Sequence, residues 1–223
     1  MANALDLEEQ EQLDQIKHFW KTWGNLISWL LIAALGGYAA WNGYHYWQRS
    51  QAVKASALYD EVERAVASGD VSRVERSFAD MKDKFASTQF AQQAGLLAAK
   101  SLLTQGKADA ARDALGWVST SASDPAYRDI ARLRLAGLQL DAKAYDDALK
   151  TLGQDFTPAM AGLADDLRGD VLQAKGQAPE AIAAYQKAWA MLVNTPDYRR
   201  LVQAKLNALG VDPESATVSE SKK

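Results

Sequence analysis

From Thr22 to Gln48 the chain runs 27 residues without an Asp, Glu, Lys or Arg. Its centre is apolar: Leu26, Ile27 and Leu30 to Leu35, followed by Gly36, Gly37, Ala39 and Ala40. A helix needs about 20 mainly apolar residues to cross a bilayer, so this stretch predicts one transmembrane span. Trp20 and Trp23 flank one end; Trp41, Tyr44, Tyr46 and Trp47 flank the other. Indole and phenol rings have an apolar body and a polar tip, which suits the headgroup level, and the two clusters read as interfacial belts. A secretory signal opens with a short basic segment. Here 21 residues with five acids and two bases precede the span, which therefore reads as an uncleaved anchor. Leu13, Ile16, Trp20 and Trp23 recur at helical spacing and predict a short helix along the membrane surface.

Beyond the span the pattern changes to helices broken at Gly or Pro. Asp124-Pro125, Thr157-Pro158 and Thr195-Pro196 each place a capping residue before a Pro at the first helical position, where the missing N–H costs nothing. Ala178-Pro179 starts a further helix without a capping side chain. Short turns at Ser68-Gly69-Asp70, Gln105-Gly106-Lys107, Ala142-Lys143-Ala144 and Lys175-Gly176-Gln177 have centres 37, 37 and 33 residues apart. Each is followed by a small or β-branched residue (Val74, Ala111, Ala148, Ala181) and, four positions on, by a larger apolar one (Phe78, Leu115, Leu152, Tyr185). The small residue lets the second helix of a pair cross close to the first; the larger one fills the gap to the next pair. This is the arrangement of a repeated helix-turn-helix.

The last unit has Gly169, Leu172, Gly176, Ala181, Tyr185 and Ala188 at tetratricopeptide offsets, with Asp165 and Val193 where that pattern has its leading Trp and closing Pro. In earlier units Ala99 and Ala136 replace the small Gly, and Lys143 replaces the turn Gly. The predicted fold is all-α: one N-terminal transmembrane helix followed by a tetratricopeptide-like solenoid. Its predicted segments are an acidic tail at 1–21, the anchor at 22–48, the repeat domain at 49–211 and a polar, disordered tail at 212–223. A capping helix at 197–209 closes the stack. No Pro separates the span from the first repeat helix, so one long helix is expected to run through Ser50 to about Val66, with Gly43 its weak point.

Charge and composition sharpen this layout. The net charge of −3 belongs to residues 1–21, while residues 49–223 hold 23 acids and 23 bases. No segment has the basic excess that a nucleic-acid partner needs. Five of the seven Trp lie within 28 residues, four of them in the two belts and Trp29 inside the span. With no Cys, the chain has no disulfide, thiolate metal site, thiol nucleophile or lipidated cysteine. Lys17 and Lys21 precede the span and Arg49 and Lys54 follow it, so the positive-inside count is a tie and charge leaves the orientation open.

Catalytic chemistry has little to work with. The two His, His18 and His45, stand one at each edge of the span, too far apart for a metal cluster or catalytic pair. The sequence has no G-x-S-x-G, no phosphate-cradling Gly loop and no H-E-x-x-H. No catalytic, cofactor or metal site is expected, and binding remains. Stacked helix pairs form a concave face lined by their first helices. The repeat offsets place Leu96, Lys100, Leu103, Leu133, Leu140, Asp166 and Asp170 there as partner-binding candidates. In the span, Ala33/Gly37 and Gly36/Ala40 are small-xxx-small pairs that would let a second transmembrane helix approach.

Several blocks together resemble a known family. They are Glu11-Gln12-Leu13-Asp14-Gln15-Ile16-Lys17-His18-Phe19-Trp20 with Gly24, the span ending Tyr44-His45-Tyr46-Trp47, and Leu133-Arg134-Leu135-Ala136. Asp147-Ala148-Leu149-Lys150-Thr151-Leu152 and Asp166-Leu167-Arg168-Gly169-Asp170 with Lys175-Gly176 complete the set. Over about residues 8 to 209 the chain resembles the YfgM family, tetratricopeptide-like inner-membrane proteins of Gram-negative bacteria. The Asp-Leu-Arg-Gly block and the tail-plus-span layout are the most specific parts of the likeness. The resemblance implies a cytoplasmic N-terminus and a periplasmic repeat domain. It implies an ancillary subunit of the SecYEG translocon that pairs with a PpiD-like periplasmic chaperone and helps hand translocated client proteins onward. A membrane-anchored scaffold or an envelope-stress regulator acting through protein binding is the alternative. The family brings no catalytic residues.

The small-residue pairs carry a test. Gly36→Leu with Gly37→Leu is expected to lower recovery of a membrane partner in co-purification, and unchanged recovery would remove this role.

Overall fold

The computed structural model describes residues 7–214, and every regular element among them is a helix. The helices are α1 (Leu7–Ser68), α2 (Val71–Phe85), α3 (Gln89–Thr104), α4 (Ala108–Ser121) and α5 (Pro125–Asp141), then α6 (Tyr145–Leu152), α7 (Pro158–Ala174), α8 (Ala178–Met191) and α9 (Pro196–Ala208). The chain divides into two compact units at Gln51/Ala52.

In the first unit α1 is unbroken. Leu13, Ile16, Trp20 and Trp23 lie in the same continuous helix as the span, so no separate surface helix forms; with neither Pro nor a Gly pair between them, nothing interrupts the hydrogen-bond ladder. Gly43 does not interrupt it either. Leu26, Trp29, Leu30, Leu31, Ile32 and Leu35 are all exposed. Exposing this surface to water costs about 25 cal/mol per Å², and a helix satisfies its own backbone, so a bilayer is the solvent this unit suits. α1 is long and apolar enough to cross one.

The second unit is a stack of helix pairs. The part of α1 from Ala52 onward pairs with α2, then α3 with α4, α5 with α6 and α7 with α8; α9 follows. Sequential helices from α2 to α9 pack on each other, and the first helices of neighbouring pairs also touch, α3 on α5 and α5 on α7. The matching family of turns explains the period. Gly69, Gly106 and Gly176 have positive φ (69°, 75° and 82°), and Lys143 takes the same conformation at 59°. In three of these turns the second residue past the cap donates to a carbonyl five residues back: Lys107 to Leu102, Ala144 to Gln139 and Gln177 to Leu172. That bond, with a left-handed residue before it, closes a helix and reverses the chain. The first pair is tied by Arg73, whose Nε and Nη2 donate to Glu61 Oε1 at 2.8 and 2.5 Å. Hydrogen bonds from Arg73, and then Arg64, hold the Glu61 carboxyl below its usual range.

Packing follows the alternation of small and large positions. Val74, Ala111, Ala148 and Ala181 are buried, as are Phe78, Leu115, Leu152 and Tyr185. They contribute to three cores in sequence: one from α1 to α5, one across α5, α6 and α7, and one joining α7, α8 and α9. Two helix starts differ from the capping expected at Thr-Pro. Asp124 accepts from the Ala126 N–H, but neither Thr157 nor Thr195 caps with its side chain. The Thr195 hydroxyl donates back to the Leu192 carbonyl, and the Thr157 N–H donates to Asp129 Oδ2 at 2.8 Å. At the end of the described residues Pro213 is buried and the Glu214 N–H donates to Asp212. Residues 215–223 of the expected tail lie outside the described residues.

Lys143 is strained relative to its three glycine counterparts, because a side chain in the left-handed region costs about 1–2 kcal/mol. Lys143→Gly should raise the denaturant midpoint of the repeat domain at constant slope, by about 0.5–1 kcal/mol after the greater unfolded-state freedom of Gly is subtracted. Gly176→Ala should lower it by about 1 kcal/mol or more.

Candidate functional site

The first helices of neighbouring pairs do not close completely on each other. Between α3 and α5 lies a cavity of about 300 Å³. Ala99 and Leu103 from α3, Leu115 from α4 and Leu138 from α5 form its apolar lining, and Gly137 leaves the α5 backbone bare. Lys100, Arg134 and Asp141 supply charge around it. Leu103 is 43% exposed, unusual for a leucine in this unit.

Among the concave-face candidates, Lys100 and Leu103 meet at this cavity. Leu96 is half-buried against the first core, and Leu133 and Leu140 are half-buried against the middle one. Shifting by one repeat carries a residue onto the equivalent face of the next helix. For Leu133 and Leu140 that face packs toward α6 and α7, whereas α5 walls the cavity with Arg134, Gly137, Leu138 and Asp141. These four follow i, i+3, i+4, i+7 spacing, a single stripe roughly 100° per residue away from Leu133. The mixed stripe of Arg, Gly, Leu and Asp was the available signal.

Asp166 needs correction as a partner-binding residue. It is 2% exposed and belongs to the fold. Tyr198 Oη donates to it at 2.7 Å, and Lys205 Nζ donates to both its oxygens at 2.8 and 2.9 Å. Asp170 accepts from the same ammonium at 2.8 Å and from Tyr185 Oη at 2.8 Å. Together the two carboxylates of α7 pin α9 through Lys205, because a buried carboxylate is stable only with matched donors. Burial, and then the hydrogen bond to the neighbouring carboxylate, pushes the Tyr185 and Tyr198 phenols well above their usual range.

The rest of the Asp-Leu-Arg-Gly block is equally structural. Arg168 donates to Asp165 and to the Leu152 carbonyl at the end of α6. Leu167 packs into the middle core, and Gly169 lies under the Tyr185 ring, where a Cβ would collide. Sequence reasoning missed Asp129 and Arg132, whose contacts to Thr157 and Asp155 support the chain after the short α6. No sequence signal marked them, because these contacts span 28 and 23 residues from α5 to the loop after α6.

In the span, Ala33, Gly36, Gly37 and Ala40 are exposed, and nothing lies within 4 Å of a Cβ built at either glycine. Among the described residues, no group of three or more His, Cys, Asp or Glu is placed to hold a metal ion.

Comparison with known proteins covers most of the chain. A family model described as a tetratricopeptide repeat-like domain matches residues 17–211. A protein of Neisseria gonorrhoeae named ancillary SecYEG translocon subunit is 32% identical over 207 residues, covering 92% of this chain and 99% of that one. Proteins of the same name from Escherichia coli and Haemophilus influenzae are 29% and 28% identical, covering 91% and 83% of this chain and 97% and 90% of theirs.

The α9 clamp gives two measurable outcomes. Lys205→Met leaves Asp166 without its cation and should destabilise the repeat domain by about 3 kcal/mol, with amide exchange accelerated in α9 before α2 to α4. The phenols of Tyr185 and Tyr198 must be neutral in the clamp, and free tyrosine ionises near pH 10. Their contribution is therefore complete below pH 10 and is lost as pH rises toward the folded values. Urea titrations above that pH should show the loss, with a shallower pH slope in Tyr198→Phe.

Proposed function

The chain belongs to the family of ancillary SecYEG translocon subunits built on a tetratricopeptide repeat-like domain, the YfgM family that its sequence resembles, and from this premise we propose that it is a membrane-anchored adaptor of the Sec translocon. The single observation that carries this reading is the match along nearly the whole length of relatives bearing that name. In this reading α1 anchors the chain in the inner membrane as a single pass. Its N-terminal segment lies in the cytoplasm and its repeat domain in the periplasm. The repeat domain binds a PpiD-like chaperone and helps pass translocated clients to periplasmic chaperones.

Two features of the chain support the adaptor role. The exposed apolar surface of α1 suits lipid or another membrane helix. The repeat domain offers a cavity lined by the first helices α3 and α5 and by Leu115 of α4, and helical repeats hold partners along their first helices. Of the partner-facing candidates, Lys100 and Leu103 form the proposed open centre, while Leu96, Leu133, Leu140 and Asp170 are half-buried and would contribute only at their exposed edges. The role is protein binding, with no cofactor required.

Two measurements test the reading. Alkaline phosphatase fused at the C-terminal end should be active, and mild-detergent purification should recover translocon subunits with a periplasmic chaperone. An inactive fusion, or a consistently cytoplasmic set of partners, would replace it with a cytoplasm-facing scaffold.

A further inference from the structure

The cavity between α3 and α5 combines three properties that specify an occupant. Its apolar lining includes Leu103, a large side chain that the fold leaves 43% exposed. Gly137 opens it further: a Cβ built there meets nothing within 4 Å, so an incoming segment can approach the α5 backbone. Lys100 and Arg134 are both exposed beside it, one from each wall. Among the described residues neither is in an ion pair, unlike the buried or half-buried Arg132, Arg168 and Lys205. Asp141 also lines the cavity, yet it lies beyond ion-pair reach of both. Two cations against the one unpaired carboxylate of Asp141 leave the apolar recess a net charge of +1.

We propose that this recess binds an acidic amphipathic segment of a protein partner. An aliphatic side chain sits between α3 and α5, and adjacent Asp or Glu side chains meet Lys100 and Arg134. The inference rests on reading the repeat domain as protein-binding and adds the chemistry of the bound segment. Its volume of about 300 Å³ lies at the small end of ligand pockets and suits one or two side chains better than a large cofactor. The guanidinium fork of Arg134 fits a carboxylate in two-point geometry, while Lys100 acts as a point charge. The same pair rejects basic segments, because a Lys or Arg brought there would be desolvated against like charge.

The test uses the full chain in phosphatidylcholine nanodiscs and a display library of random short peptides. Selected peptides should be enriched in Leu, Ile or Phe flanked by Asp or Glu. Lys100→Glu with Arg134→Glu should switch the flanking preference to Lys and Arg, and acidic peptides selected on the parent should bind it at least about tenfold more weakly. Both residues are exposed, so helicity should be unchanged by circular dichroism. Leu103→Asn should weaken the same peptides without changing the charge preference. Selection without acidic bias, or identical peptides from the charge-reversed variant, overturns the proposal. Translocon co-purification is scored separately. If it persists while selection shows no acidic bias, the recess proposal falls and the adaptor reading stands; the opposite result removes the adaptor reading and keeps the recess chemistry.

Discussion

The repeat domain depends on how closely two helices of a pair can approach, and that distance is set by a missing side chain. In the last pair it is Gly169, over which the Tyr185 ring of α8 lies so closely that any Cβ would overlap it. Burying the ring there brings its hydroxyl to Asp170 and Gln173, both at 2.8 Å. Asp170 then shares Lys205 with Asp166, and α9 is held. One absent methyl thus positions an aromatic ring, a pair of carboxylates and a capping helix. Apolar contact alone could press α9 onto α8 in several registers. Charged hydrogen bonds at fixed positions select one.

The same device recurs with different residues. Gly95 of α3 takes Val118 and the Phe78 ring where a side chain would stand, and Gly162 of α7 takes Leu192. Where glycine is absent, alanine serves: Ala99 and Ala136 are both buried. The third pair pays for a degenerate turn and an α6 of 8 residues with polar supports. Asp129, Arg132 and Arg168 satisfy backbone groups that a longer helix would have satisfied itself.

The architecture was legible in the sequence because it rests on periodic signals. Turn spacing marked the pairs, and the small and large positions following each turn are all buried. Absence of charge marked the apolar stretch of α1, whose side chains are exposed along its length. The site was only partly legible. Lys100 and Leu103 reach the cavity, and a shift of 37 residues from Lys100 reaches Gly137, but Arg134, Leu138 and Asp141 of the same wall lie on a side of α5 that the chosen offsets did not cover. Asp166 looked like a concave-face acid because offsets give direction without depth. The fold draws α9 over it, and its partners, Tyr198 and Lys205, are 32 and 39 residues away in sequence.

That burial bears on how the family likeness should be used. The Asp-Leu-Arg-Gly block is, with the tail-plus-span layout, among the most specific parts of the resemblance, and each of its four residues works inside the fold: Asp166 on α9, Leu167 in the middle core, Arg168 on the end of α6, and Gly169 beneath Tyr185. A likeness carried by such a joint tracks how α7 holds its neighbours. It identifies the architecture strongly and speaks only indirectly about what the surface recognises. Recognition has to come from groups the joint leaves unspent. The recess between α3 and α5 holds such groups, an exposed leucine, a bare stretch of α5 backbone and the charges of Lys100, Arg134 and Asp141, and on our proposal partner choice can vary there without disturbing the joint that maintains the stack.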